Sequence, residues 1–224
     1  MLIQFLNRIY PKEKHLKKGN HNGCLFTLGD IMDKKRDLLY QAAKFYEDNL
    51  AGRKFEIIAY KKNKQNVQII SFEVERFYHL FGLHKLKDIS WLRRSPRSVY
   101  HAILEGKITY NDIAHSHFLN EMEDRLIYHR ELLNILNIKS IYYKSLHGQF
   151  YSIEADCFLC NEIIPQSLYG FLFSKNDSVP VTFFTRNERE SYMRNSIKWT
   201  VASIRELKRN PTKNTEENKI VLLV

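Results

Sequence analysis

Two groups of short runs rich in β-branched and aromatic residues, held apart by a helical stretch, restrict the fold of this chain more than any other feature. Residues 55–60 and 67–74 flank the polar stretch K-K-N-K-Q-N and read as a hairpin with a basic tip. Residues 138–143, 150–159, 168–173 and 179–184 follow in the last third, divided by H-G, P-Q-S and K-N-D-S turns. Together they predict a mainly antiparallel sheet of roughly four to six strands. Between the groups, residues 98–104, 111–117 and 121–136 carry helical spacing, the last with Met122, Leu126, His129, Leu133 and Leu136 in one stripe. Ahead of the hairpin, Leu38, Leu39, Ala42, Phe45, Tyr46 and Leu50 form another stripe, which Gly52 is placed to cap. The class is α+β: helices packed on a twisted, mainly antiparallel sheet, with a helical insertion between the N-terminal hairpin and the C-terminal strands.

A chain of 224 residues with 44% hydrophobic and 27% charged residues can bury a full core. We expect residues 34–224 to be a single domain and residues 1–33, broken by Pro11 and followed by lysines, to be an N-terminal arm. Thirty-five Lys and Arg against twenty-five Asp and Glu leave a formal charge of +10. That field attracts phosphate backbones or anionic membranes. No apolar run is long enough to span a bilayer, so nucleic acid is the expected partner and no membrane is implied. At the N-terminus apolar residues precede the lysines, the reverse of a secretory signal, which predicts a cytoplasmic protein. Cys157 and Cys160 form a C-x-x-C pair with no second pair to complete a zinc site, and they read as two core thiols; a zinc site that recruits Cys24, His21 and His147 from far away is the minor alternative. No metal or cofactor is expected.

The segment from Phe72 to Leu86, F-E-V-E-R-F-Y-H-L-F-G-L-H-K-L, holds the candidate chemistry. Phe77, Leu80, Phe81 and His84 share one helical face, Gly82 is a plausible stop, and His79 lies off that face with Glu75 and Arg76 in reach. A histidine titrates near neutral pH, which suits proton transfer, and a neighbouring lysine suits a developing phosphate charge. Two ordinary histidines, one wet and one packed, are the alternative reading of the same pattern. His129, within an apolar stripe, reads as a core residue. Basic residues mark the surface elsewhere. Lys61, Lys62 and Lys64 sit at the hairpin tip, Arg93, Arg94 and Arg97 alternate with Trp91 and Tyr100, and Arg194, Lys198, Arg205 and Arg209 fall at near-helical spacing. The last group belongs to a helix expected after Asn187, with Glu190 completing a capping box and Met193, Ile197, Val201 and Ile204 inside. Residues 219–224 could close the sheet as a final strand.

The segment F-x-H-L-x-G-L-H-K-L, with the strand-like I-I-S-F-E-V before it, resembles the signature of a phage-associated nuclease family of the Barnase, EndoU, colicin and RelE-like (BECR) superfamily. The resemblance covers the chain from about Leu38 to about Leu207. R-N-E-R-E-S-Y approaches the family's R-x-x-Y pairing, its S-F-F strand appears as Thr182, Phe183 and Phe184, and I-E-A-D-C matches a recurring strand in which Asp156 is polar. The resemblance implies His79 as the proton-transfer residue, assisted by Lys85, Arg186, Tyr192 and Thr182. His84, Arg125, Lys61, Lys62, Lys64, Arg194 and Lys198 would contact nucleic acid. The function implied is a metal-independent endoribonuclease of phage or mobile-element type, acting as a toxin or in phage conflict, on RNA with tRNA among the candidates. It would cut by 2'-hydroxyl attack to leave a cyclic phosphate, and a neutralising antitoxin or immunity protein would be a partner. A catalytically inactive nucleic-acid-binding regulatory module and a protein-interaction protein remain alternatives, separated by tests of RNA cleavage and RNA binding.

Overall fold

Residues 37–145, 157–164, 167–174, 179–184, 196–208 and 217–218 are described by the structure, a computed structural model. The first element is helix α1, Leu38–Asn49. Asp37 caps it, one carboxylate oxygen accepting from the Tyr40 N–H at 2.8 Å and the other from the Tyr110 N–H at 2.6 Å. One side chain therefore fixes two helix starts that lie far apart in sequence. Leu39, Ala42, Ala43 and Tyr46 are the buried face. Gly52, at φ +73°, turns the chain into the sheet.

Strands β1 (Arg53–Lys61) and β2 (Lys64–Phe72) form the expected hairpin. They run further than the apolar runs suggested: Lys61 pairs with Lys64, leaving a two-residue turn of Lys62 and Asn63. Phe55, Ile57 and Ala59 on β1 alternate inward, opposite Ile70, Gln68 and Asn66 on β2. The helical segment follows as α2 (Arg76–Leu80), short 3-10 turns at Leu83–Lys85 and Ser90–Arg93, α3 (Pro96–Leu104), α4 (Tyr110–Ile113), a 3-10 turn at Leu119–Glu121, α5 (Glu123–Ile127) and α6 (Glu131–Ile135). The long helix expected over residues 121–136 is thus two short ones. Leu133, assigned to its buried stripe, is only half-buried, while Leu132 and Ile135 go inside.

The rest is sheet: β3 (Ile141–Ser145), β4 (Cys157–Ile164), β5 (Ser167–Ser174), β6 (Val179–Phe184), β7 (Ser196–Lys208) and β8 (Glu217–Asn218). Among the described residues the sheet has eight strands in the order β2-β1-β7-β3-β4-β5-β6, with β8 beside β7, and every pairing is antiparallel. It coils so far that its two edges, β2 and β6, approach each other, and α2 packs on β6. Asn66 of β2 reaches across the hollow to donate to the Tyr142 hydroxyl of β3 at 3.1 Å. Residues Asp33–Val224 form one compact unit. The N-terminal arm 1–33 and the closing strand 219–224 lie outside the described residues.

The helix expected to run through Ile197, Val201 and Ile204 is a correction, because Ser196–Lys208 is a 13-residue strand inside the sheet, between β1 and β3. Ala59 faces Val201 and Ile58 faces Ser203, so Ala202 is bulged out. Inward positions consequently jump from Val201 to Ile204, a spacing of three that imitates a helix. Arg205 faces Glu56 across β1 and is bound to it through Nη2 at 2.5 Å and Nε at 2.6 Å. Cys157 and Cys160 are buried thiols outside any disulfide, and Cys157 accepts from the Tyr142 hydroxyl at 2.8 Å. Three apart on a regular stretch of β4, they point to opposite faces, so the two thiols cannot clasp one ion.

Candidate active site

Five residues make α2, and Phe77, Tyr78 and Leu80 bury it. Tyr46 of α1 holds it in place, with its ring centroid 5.6 Å from Phe77, 6.3 Å from Phe81 and 6.4 Å from Phe72. Edge-to-face aromatic pairs of this kind add about 0.5–1.5 kcal/mol each beyond their buried area. The helix stops because Gly82 takes φ +80°, and a Cβ there would lie 2.8 Å from the Cβ of Met122. Both the conformation and the close approach require glycine. The chain then folds back through Leu83–Lys85, which buries Leu83 and turns His84 outward. The expectation that His84 continues the packed face of α2 is corrected by this turn.

Folding back brings the two histidines together. Their ring centroids are 5.1 Å apart with the planes inclined by 39°. Tyr78 lies beside both, 5.3 Å from His79 and 6.4 Å from His84, and donates its hydroxyl to the Leu92 carbonyl at 3.0 Å. Behind the turn stands Arg125, 4% exposed. Its Nη1 donates to the Thr182 hydroxyl at 2.6 Å and to the Leu80 carbonyl at 3.4 Å. Thr182 in turn donates to the Phe183 carbonyl at 3.4 Å. The guanidinium and hydroxyl thus face each other inside the protein, tying α5, α2 and β6 together under the histidines. Lys85 donates through Nζ to the Glu121 carbonyl at 3.2 Å.

Burial lowers the pKa of His79, and the Arg76 guanidinium lowers it further. For His84, loss of water from the packed side of the ring comes first, followed by the positive fields of His79, Arg125 and Lys85. A hydrogen bond to the Tyr78 carbonyl opposes these, and the balance pushes His84 down to about 4. Two like-charging rings this close resist double protonation and titrate as a pair. Both are neutral at pH 7.

Beside His79 an open pocket of about 450 Å³ is lined by Glu73, Glu75, Arg76, His79, Pro96 and Val179. Its walls come from the end of the hairpin, the start of α2, the start of α3 and the start of β6. The pocket therefore exists only because the coiled sheet brings β6 to the hairpin end. Glu75 pairs with Arg97 at 3.5 Å across its rim. Residues 38–222 match a family model described as phage-Barnase-EndoU-ColicinE5/D-RelE like nuclease4. The chain belongs to this nuclease family. No curated protein and no solved structure matches the chain.

In this nuclease the expected residues His79, His84, Lys85, Arg125 and Thr182 come together, though Arg125 and Thr182 are buried behind the rings. Lys61, Lys62, Lys64 and Lys198 do not join them. They are exposed at the hairpin tip and on β7. Arg186, Tyr192, Arg194 and Asp156 lie outside the described residues. Sequence reasoning missed Tyr78, Pro96 and Val179, and it placed Glu75 near His79 without seeing its pairing with Arg97. Tyr78 carried a usable signal, since a tyrosine beside a histidine on a short helix must place its hydroxyl somewhere. Pro96 and Val179 carried none, because long-range folding alone puts them at the pocket. His129 is buried as expected, its Nδ1 2.7 Å from the Leu126 carbonyl and its ring 5.2 Å from that of Phe45. No helix among the described residues is long and apolar enough to cross a membrane.

Proposed function

We propose that the chain is a metal-independent endoribonuclease in which the His79–His84 pair moves the protons. The observation that carries this reading is the 5.1 Å pairing of two neutral imidazoles beside an open pocket. Cleavage requires a base to take the 2'-hydroxyl proton, so that O2' attacks phosphorus while the bond from phosphorus to O5' breaks. An acid then protonates the departing O5'. The singly protonated form of the pair, which grows as pH falls below neutral, supplies both partners: the neutral ring accepts and the protonated ring donates. In this reading His79, which lines the pocket, is the acid, and His84 is the base. Arg76 on the pocket wall is placed to meet phosphate charge, and Lys85 lies at the end of the same turn. The products are a cyclic phosphate and a 5'-hydroxyl.

The setting that fits is phage or mobile-element conflict, with a cytoplasmic toxin held by a neutralising antitoxin or immunity protein, and with RNA, tRNA included, as substrate. The decisive measurement compares His79→Ala with His129→Ala on one RNA substrate, with chelator present. Loss of a general acid typically costs about 10²–10⁴ in rate. His79→Ala is expected to lose that much while keeping its fold and its affinity for RNA, whereas His129→Ala is expected to lower the melting temperature. Cleavage by His79→Ala at the native rate would remove the histidine pair from the mechanism.

A further inference from the structure

The hairpin tip breaks two rules of local stability at once. Lys62 takes φ +53° at the first central position of a two-residue turn, where hairpins favour glycine. Lys61 stands directly opposite Lys64, a like-charged cross-strand pair. No carboxylate relieves the crowding: Lys61, Lys62 and Lys64 make no ion pair among the described residues. Tyr60, 42% exposed, lies next to the tip and faces Thr200 of β7. Lys198, two residues before Thr200, projects from the same face and is exposed. Three lysines at the turn, an open aromatic ring and a fourth lysine thus occupy one end of the sheet.

That end is not the histidine end. Phe72 closes β2 beside the Tyr46 cluster that holds α2, while Lys64 opens it. At about 3.3 Å per residue the strand separates them by on the order of 25 Å. From these observations we infer that the hairpin tip is a second, distal anchor for a nucleic-acid strand, built at a cost to the stability of the hairpin. Lysines bind phosphates there without reading sequence, and Tyr60 offers a face on which a base stacks. A strand engaging both ends must cover the gap, which at about 3.4 Å per stacked nucleotide takes roughly seven nucleotides. The inference rests on the ribonuclease reading for what lies at the other end, but the anchor itself is a binding claim.

Binding is therefore measured with 2'-O-methyl RNA, which has no free 2'-hydroxyl to attack and stays intact whether or not the chain cleaves RNA. Full-length protein is titrated with labelled 4-mer and 12-mer strands over a range of salt, alongside DNA of the same lengths and polyglutamate as competitor. Native protein is expected to bind the 12-mer at least tenfold more tightly than the 4-mer. Lys62→Gly removes the strained backbone together with one charge, so it is expected to raise the melting temperature by about 2 °C while weakening 12-mer binding. Each lysine removed is expected to take about 0.7 from the salt slope on a single strand, and Lys61→Gln with Lys64→Gln about twice that. DNA following the same pattern supports a backbone anchor. Unchanged affinity and slope in these variants would overturn the inference, as would a Lys62→Gly variant that melts lower than the native protein. Polyglutamate competing as well as RNA, with the same lysine dependence, would also overturn it in favour of an acidic protein partner.

Discussion

At Gly82 the backbone decides where two histidines meet. Its φ of +80° costs an L-residue about 1–2 kcal/mol. The 2.8 Å approach to Met122 adds an overpacking cost of roughly 1–3 kcal/mol. Gly82→Ala is accordingly expected to lose about 2–5 kcal/mol in chemical denaturation, together with much of any nuclease activity, because the fold-back turn is what brings His84 to His79. A loss below about 0.5 kcal/mol would show that the turn relaxes easily. The histidines, the glycine and the lysine were legible because they stand close together in the chain. Arg125 and Thr182, paired although they are 57 residues apart, were visible only as separate residues. A sequence shows that an arginine is near an apolar stripe, but it does not show which hydroxyl meets it.

Among the elements, α2, α5 and β6 are fastened together by a single guanidinium. Arg125 is buried, and its charge adds to the field that keeps His84 neutral. Arg125→Met keeps the length of the stem but removes the hydrogen bonds to Thr182 and Leu80 and the charge. We expect a stability loss of about 1–3 kcal/mol and a higher His84 pKa, followed by proton NMR titration of the ring. A lower melting temperature with an unmoved His84 titration would leave Arg125 a purely structural bolt. The strand β7 shows why elements can be misread. Of the four residues assigned to its inner face, Val201 and Ile204 are buried and Ile197 is half-buried, but the bulge at Ala202 spaced Val201 and Ile204 as a helix would. Only the neighbouring strands Arg53–Lys61 and Ile141–Ser145, both demanding a partner, distinguish the two outcomes. The hairpin, by contrast, needed nothing beyond its own residues, and its strands were legible from the start.

For the whole molecule, protons bound on unfolding set the pH dependence of stability. His84 has a folded pKa of about 4 against an ordinary 6.5, so between those values the unfolded chain binds more protons than the folded one. The stabilisation is complete above about pH 6.5 and drains away as pH falls towards 4. His79 is shifted in the same direction and adds to the effect. Urea midpoints are expected to drop over this window in the native protein and to drop less in His84→Gln. Equal slopes in the two would mean that His84 keeps its ordinary pKa in the fold. The order of strands also imposes a timetable on synthesis. Leu207 pairs with Lys54, about 150 residues earlier, and β7 separates the hairpin from every other strand. At about 5–20 residues per second, roughly 8–30 s pass between the two partners leaving the ribosome. The hairpin spends that interval with one edge unpaired, so the sheet can join its two halves only after Ser196–Lys208 has left the ribosome.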